Sequence, residues 1–153
     1  MAANTAGMCG SFKAELLQGY HVLTPSNPVR LAATADTFFA AVFKTNQSLS
    51  PATTTVYNPT GEVSGTGYVA GGVSLTWNAV GQSGIVGYTT PTATFLWTGC
   101  TITTLFDTIL IYNQSQTNRS VALYNFGPQT VLSGNLTLNM PANNPGSALL
   151  QIA

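Results

Sequence analysis

Read for the spacing of apolar and polar positions, the chain announces strands with tight connections. Thr37 to Phe43 is a short, nearly continuous apolar run, the pattern of a strand covered on both faces. Val73, Leu75, Trp77 and Ala79 alternate with Ser74, Thr76 and Asn78, which predicts one buried and one polar face. Ile102, Thr104, Phe106, Thr108, Leu110 and Tyr112 form one face of a long strand, and Leu105, Ile109 and Ile111 make the other face apolar too. The C-terminal half of that strand is therefore expected to be sandwiched. Further strands are expected at Thr54 to Tyr57, Ile85 to Thr89, Thr94 to Trp97, Ser120 to Phe126, Leu136 to Met140 and Ala148 to Ile152. Gly127-Pro128 is read as ending the strand before it, and Asn113 to Asn118 as a polar hairpin loop. Asn58 to Gly72 reads as a glycine-dense loop containing a little strand.

One helix is expected, over 11–22. Ser11 is placed as its N-cap, Phe12, Leu16 and Tyr20 fall four apart on one face, and Gly19 weakens its end. Leu23 to Pro28, with two prolines, breaks regularity after it. The predicted class is all-β, an antiparallel β-sandwich or jelly-roll-like fold with one short N-terminal helix. Eight or nine strands at a spacing of about 8 to 12 residues suit that architecture. The organisation expected is an N-terminal arm over 1–10 and a single domain over 11–153.

Composition agrees and adds the unusual feature. Of 153 residues, four are basic (Lys13, Arg30, Lys44, Arg119) and four acidic (Glu15, Asp36, Glu62, Asp107), a charged share of 5%. A usual share is about 25%. Uncharged polarity replaces it: 23 Thr, 12 Asn and 11 Ser. No Lys/Arg cluster is available to displace counterions, so nucleic-acid binding is excluded. The longest apolar runs, Phe38 to Phe43 and Ile109 to Tyr112, fall far short of the roughly 20 residues of a membrane span. No basic amphipathic helix is available for a membrane surface. The opening MAANTAGMCG has neither the basic nor the apolar region of a secretory signal, so synthesis and folding in a cytosol are expected. Cys9 and Cys100 then fit reduced, buried thiols, with a single bridge between them the open alternative.

Titratable chemistry is scarce. A Ser–His–Asp arrangement would need His21, the one histidine, with Asp36 or Asp107. His21 is read instead as exposed, or as a helix C-terminal residue interacting with the dipole, and Glu15 as a first-turns anion. Two cysteines and one histidine cannot fill a zinc site from one chain. Gly61 to Gly67 lacks the Gly-Lys-Ser/Thr and the following helix of a phosphate cradle, and reads as a mobile or tightly turned connection. No catalytic residue, metal or cofactor is expected. Tyr57, Tyr68, Trp77, Tyr88, Trp97 and Tyr112 are compatible with a sugar-stacking surface, with core or with oligomer anchors, Trp77 being assigned to core.

Six strings carry a resemblance that spans nearly the full length in order. They are Cys9 to His21 (CGSFKAELLQGYH), Asp36 to Thr45 (DTFFAAVFKT), Thr60 to Gly72 (TGEVSGTGYVAGG), Ile109 to Asn113 (ILIYN), Asn118 to Gly127 (NRSVALYNFG) and Ala148 to Ala153 (ALLQIA). Together they resemble a family of small virion structural proteins of tailed bacteriophages. The chain departs from that pattern in the proline-rich stretch from Tyr20 to Ala35, and at Thr108 and Gln151, where a charged residue is usual. No individual contact is carried over. The resemblance implies a cement or decoration protein on the capsid surface of the virion. Its partners would be the major capsid protein and copies of itself, with Phe12, Leu16, Tyr20, Tyr68 and Trp97 as candidate interface residues. The rival readings are a tail or adhesion component and a carbohydrate-binding β-sandwich module.

Overall fold

The computed structural model describes residues 3–17, 20–21, 23 and 35–152. Its strands are β1 (Gly7–Met8), β2 (Phe38–Lys44), β3 (Val73–Leu75), β4 (Gly81–Ser83), β5 (Val86–Thr89), β6 (Phe95–Asn113), β7 (Arg119–Leu138) and β8 (Leu150–Ile152). The helix α1 spans Gly10–Leu17, and a short 3-10 turn, Gln114–Gln116, joins β6 to β7. The class is all-β. Two antiparallel sheets form, one of five strands in the order β1-β7-β6-β2-β3 and one of three in the order β4-β5-β8. No helix among the described residues is long and apolar enough to cross a membrane.

The continuous apolar run of β2 follows from its central place in the larger sheet. Phe38, Ala40 and Val42 enter a core shared with Phe12, Phe106, Ile109, Ile111 and Leu150, so one face of the large sheet meets α1 and the small sheet. Ala41 and Phe43 point the other way, into a second cluster with Leu110, Tyr112 and Leu123, covered by Leu49 and Tyr57. The same reasoning holds for β6, where every residue from Phe106 to Asn113 is buried. The alternation read from Val73 to Ala79 is present as far as Trp77, which continues the regular strand Val73–Leu75 as a single bridge to Pro91, but Ala79 is exposed rather than buried.

Several boundaries differ from the sequence-based expectation, each for a local reason. The strands expected at 94–97 and 102–112 are one, and Gly127-Pro128 does not end β7. The register passes from Thr108↔Asn125 to Phe106↔Gln129, so Phe126, Gly127 and Pro128 bulge opposite Asp107 alone. A bulge has no ladder bond for proline to break, and Gly127 takes the left-handed φ of 83° that the extra residues need. Thr54 to Tyr57 forms only a bridge, Val56↔Arg119. Ser11 is not the N-cap: the helix starts one residue earlier, and the Ser11 hydroxyl is buried without a hydrogen-bond partner. Of the expected helix, residues 18, 19 and 22 lie outside the described residues, as does most of the proline-containing break that follows.

The stretch read as an arm is sewn into the sheet from Asn4 onward. Gly7 and Met8 pair with Leu123 and Ala122, and Thr5 N–H donates to the Leu49 carbonyl at 2.8 Å. The Asn4 amide donates to Asp107 Oδ1 (2.9 Å), Thr108 Oγ1 (3.1 Å) and the Lys44 carbonyl (3.2 Å), and its oxygen accepts from Leu49 N–H. A short edge strand of this kind also caps β7 against pairing with another chain.

Candidate functional site

The eight charged residues are the natural place to look for chemistry. The side chains of six are described, and none of the six is fully exposed. Glu15, Glu62 and Asp107 are buried, while Asp36, Lys44 and Arg119 are half-buried. Each carboxylate organises a junction. Asp107 receives Asn4 and the Thr108 hydroxyl (2.7 Å), fixing the N-terminal strand over β6. Asp36 receives the side-chain amides of Asn113 (2.8 Å) and Gln116 (3.3 Å), tying the approach to β2 to the β6–β7 turn. Glu15 receives the His21 ring at 2.7 Å and pairs with the Arg119 guanidinium.

Among the described residues Glu62 has no cationic partner, and three donors solvate it instead. Tyr57 donates to Oε2 at 2.6 Å, while Tyr68 (2.5 Å) and Gly71 N–H (2.8 Å) donate to Oε1. The Tyr68 hydroxyl also accepts from Val42 N–H (2.9 Å), and Tyr112 donates to the Gly71 carbonyl (2.9 Å). Burial, and then the hydrogen bonds to Glu62, raise the pKa of both Tyr57 and Tyr68, so both stay protonated as donors. Tyr57 stacks on Tyr112 with centroids 4.3 Å apart. The glycine-dense segment is thus clamped against β2, a tightly turned connection rather than a phosphate cradle. Its carboxylate was visible in the sequence, but its role depends on aromatics brought together by turns, which no periodicity signals.

His21 is neither exposed nor a simple helix-end residue. It is 4% exposed, with the Phe12 ring 4.6 Å away. It does not meet Asp107, and it reaches Asp36 only through Asn113, whose Nδ2 lies 2.9 Å from His21 Nδ1. The ring nitrogens are held by Glu15 and Asn113, and among the described residues neither bonds a hydroxyl or thiol that it could activate. No group of three His, Cys, Asp or Glu able to hold a metal occurs among the described residues. Cys9 and Cys100 are unbonded and buried, and burial, aided by the charge of Glu15, pushes the Cys9 thiol up to about 12. A thiolate is the reactive form, so native protein is expected to resist iodoacetamide at neutral pH, whereas denatured protein takes up two labels. Intact-mass spectrometry reads the difference, and rapid labelling of the folded chain would contradict it.

The candidate interface residues separate into two groups. Phe12 (0% exposed) and Trp97 (3%) are enclosed by the chain itself and are core, a correction to their placement at an interface. Phe12 is trapped beneath α1, and Trp97 lies on the inward face of β6 against Phe95 and Tyr68. Trp77, likewise, is 6% exposed, so neither tryptophan offers a sugar-stacking face. Leu16 and Tyr68 are half-buried, and Tyr20 is 40% exposed beneath the Arg119 guanidinium, 4.7 Å from its ring. Comparison with protein-family models, with curated proteins and with solved structures found no match.

The outer surface carries features the pattern missed. Ile85 (85%), Leu132 (71%) and Val69 (69%) stand out from a turn, a bulge and the glycine-dense loop, where side-chain direction is not periodic. Leu96, Leu105 and Val80 are about half exposed or more. A mostly apolar cavity of about 240 Å³ opens between α1 and the small sheet, lined by Phe12, Leu16, His21, Leu23, Leu150 and Ile152, among others.

Proposed function

We propose that the chain is a structural protein of a tailed-bacteriophage particle, a cement or decoration protein that binds the major capsid protein lattice and associates with its own copies. One observation supports it most: the described surface displays no fully exposed Asp, Glu, Lys or Arg, and apart from the half-buried Asp36, Lys44 and Arg119 it carries uncharged polar groups and scattered large apolar side chains. Removing a charge from water costs several kcal/mol per ion unless it is paired, whereas Thr, Ser and Asn can hydrogen-bond within a neutral interface. An exterior of low charge favours association over life as an isolated monomer. Such a protein acts by adding contact area to a shell, on the order of 1,000 Å² or more per specific contact.

Quantitative mass spectrometry of purified particles of the encoding phage tests this reading. Hundreds of copies per particle are expected, together with earlier thermal rupture of particles assembled without the protein. A few copies in multiples of three or six would assign it to the tail, and its absence from the particle would overturn the proposal altogether.

A further inference from the structure

The one histidine of the chain sits where four stretches meet: α1, the segment before β2, the end of β6 and the start of β7. Its Nε2 lies 2.7 Å from Glu15 Oε2, and its Nδ1 lies 2.9 Å from Asn113 Nδ2. Asn113 is held from two further sides. Its Nδ2 also donates to Asp36 Oδ2 at 2.8 Å, and its Oδ1 accepts from Gln116 N–H at 3.2 Å, capping the 3-10 turn. An amide nitrogen only donates, so Nδ1 of the imidazole is the acceptor and Nε2 carries the hydrogen given to Glu15. The ring is therefore neutral, in a tautomer set by the orientation of Asn113.

A second proton can enter the ring only at Nδ1, where it meets the Asn113 amide hydrogens. If Asn113 stays as it is, the two donors must separate. If the amide turns over, its oxygen receives the new N–H, but it then gives up Asp36 and presents its nitrogen to Gln116 N–H. The first response separates residue 21 from Asn113; the second detaches Asn113, together with residue 21, from Asp36 and from the turn it caps. We propose that His21, Glu15, Asn113 and Asp36 form an acid-opened latch, fastening the residues after α1 to the β6–β7 turn while the imidazole is neutral and releasing them when it is protonated.

The groups facing the ring, among the described residues, come from every element packed on it. Glu15 of α1 and Asp36 before β2 favour the imidazolium, while Arg119 at the start of β7 opposes it. Burial has the largest influence, and it holds His21 below the ordinary value of 6.5. The sign follows from proton linkage. An unfolded histidine takes up its proton near 6.5, and the folded one resists. The stability contributed by the neutral ring is therefore full above that pH, and is lost as pH falls from there through the folded value. His21 also lines the apolar cavity, so latch and cavity share a wall.

Because the histidine is alone, an NMR titration of the full chain reads it without ambiguity. From about pH 8 to about pH 5, above the range where ordinary carboxylates titrate, the imidazole Cε1–H is followed with the Asn113 side-chain amide and the Gln116 backbone amide. The expected result is an imidazole midpoint displaced below 6.5, with both amides moving at the same midpoint. His21→Gln keeps a donor for Glu15 and an acceptor for Asn113, and it is expected to abolish that common transition in a folded protein. An imidazole midpoint at or above 6.5 would overturn the latch, as would a titration that leaves Gln116 and Asn113 unmoved. Should His21→Gln fail to fold, the wild-type titration alone decides between these results.

Discussion

Glu62→Ala lowers stability by about 3–5 kcal/mol, read as a shift in the urea midpoint with an unchanged slope. The substitution removes the shared acceptor of Tyr57, Tyr68 and Gly71 N–H and leaves three donors facing a void. Each buried donor left unmade costs about 1–3 kcal/mol, less where water can enter. Glu62→Gln keeps the volume and one acceptor oxygen, so its loss is smaller, about 1–2 kcal/mol. The damage is expected to spread along a defined path. The Tyr68 hydroxyl bridges Glu62 to Val42 N–H, and Tyr112 holds the Gly71 carbonyl, so hydrogen exchange should quicken at Val42 and Gly71 before the sheet centre opens. If Glu62→Ala unfolds within about 1 kcal/mol of the parent, the clamp is not what holds the glycine-dense segment.

Gly72→Ala is expected to be at least as severe, on the order of 4 kcal/mol or more, sufficient to leave much of the protein unfolded or aggregated. Gly72 has φ of 83°, and an added Cβ would fall on the Ala40 carbonyl, with the Ala41 Cα only 2.8 Å away. Neither neighbour can yield, because Ala40 and Ala41 are themselves fully buried within strand β2. Gly99→Ala supplies the comparison. Its φ is also positive, at 60°, but nothing lies within 4 Å of the new methyl group. The expected cost there is only about 1–2 kcal/mol, the strain of the left-handed conformation alone. Thermal unfolding of the pair separates close approach from backbone preference, and equal losses would refute the role given to the Ala40 contact.

Much of the fold was legible because it depends on local pattern. The apolar run of β2 and the two-faced apolar half of β6 stated their double coverage directly, and each is buried as that pattern requires. Leu136, Leu138 and Met140 face inward, with their polar neighbours exposed. The continuity of β6 and β7 was hidden: Gly127 and Pro128 look like a strand end in sequence and are a bulge in space, and Gly99 lies at another bulge, between Trp97 and Cys100. The polar junctions were hidden for a different reason. Asn4 meets Asp107, Glu15 meets Arg119, and Asp36 meets Gln116, each across a gap in sequence that no repeat or motif marks. His21 was misread because its short distance from α1 suggested a helix terminus, whereas it is buried with contacts to Glu15 and Phe12 of α1 and to Asn113 at the end of β6.

The use of the carboxylates as interior fastenings has a consequence for how this protein meets its surroundings. Dissolved salt acts on exposed charge over a screening length of about 8 Å at physiological ionic strength. Of the charged side chains described, only the half-buried Asp36, Lys44 and Arg119 offer such ions anything to screen. Were the proposed role to hold, adhesion through the described surface would be governed by shape and hydration and would change little between dilute water and brine.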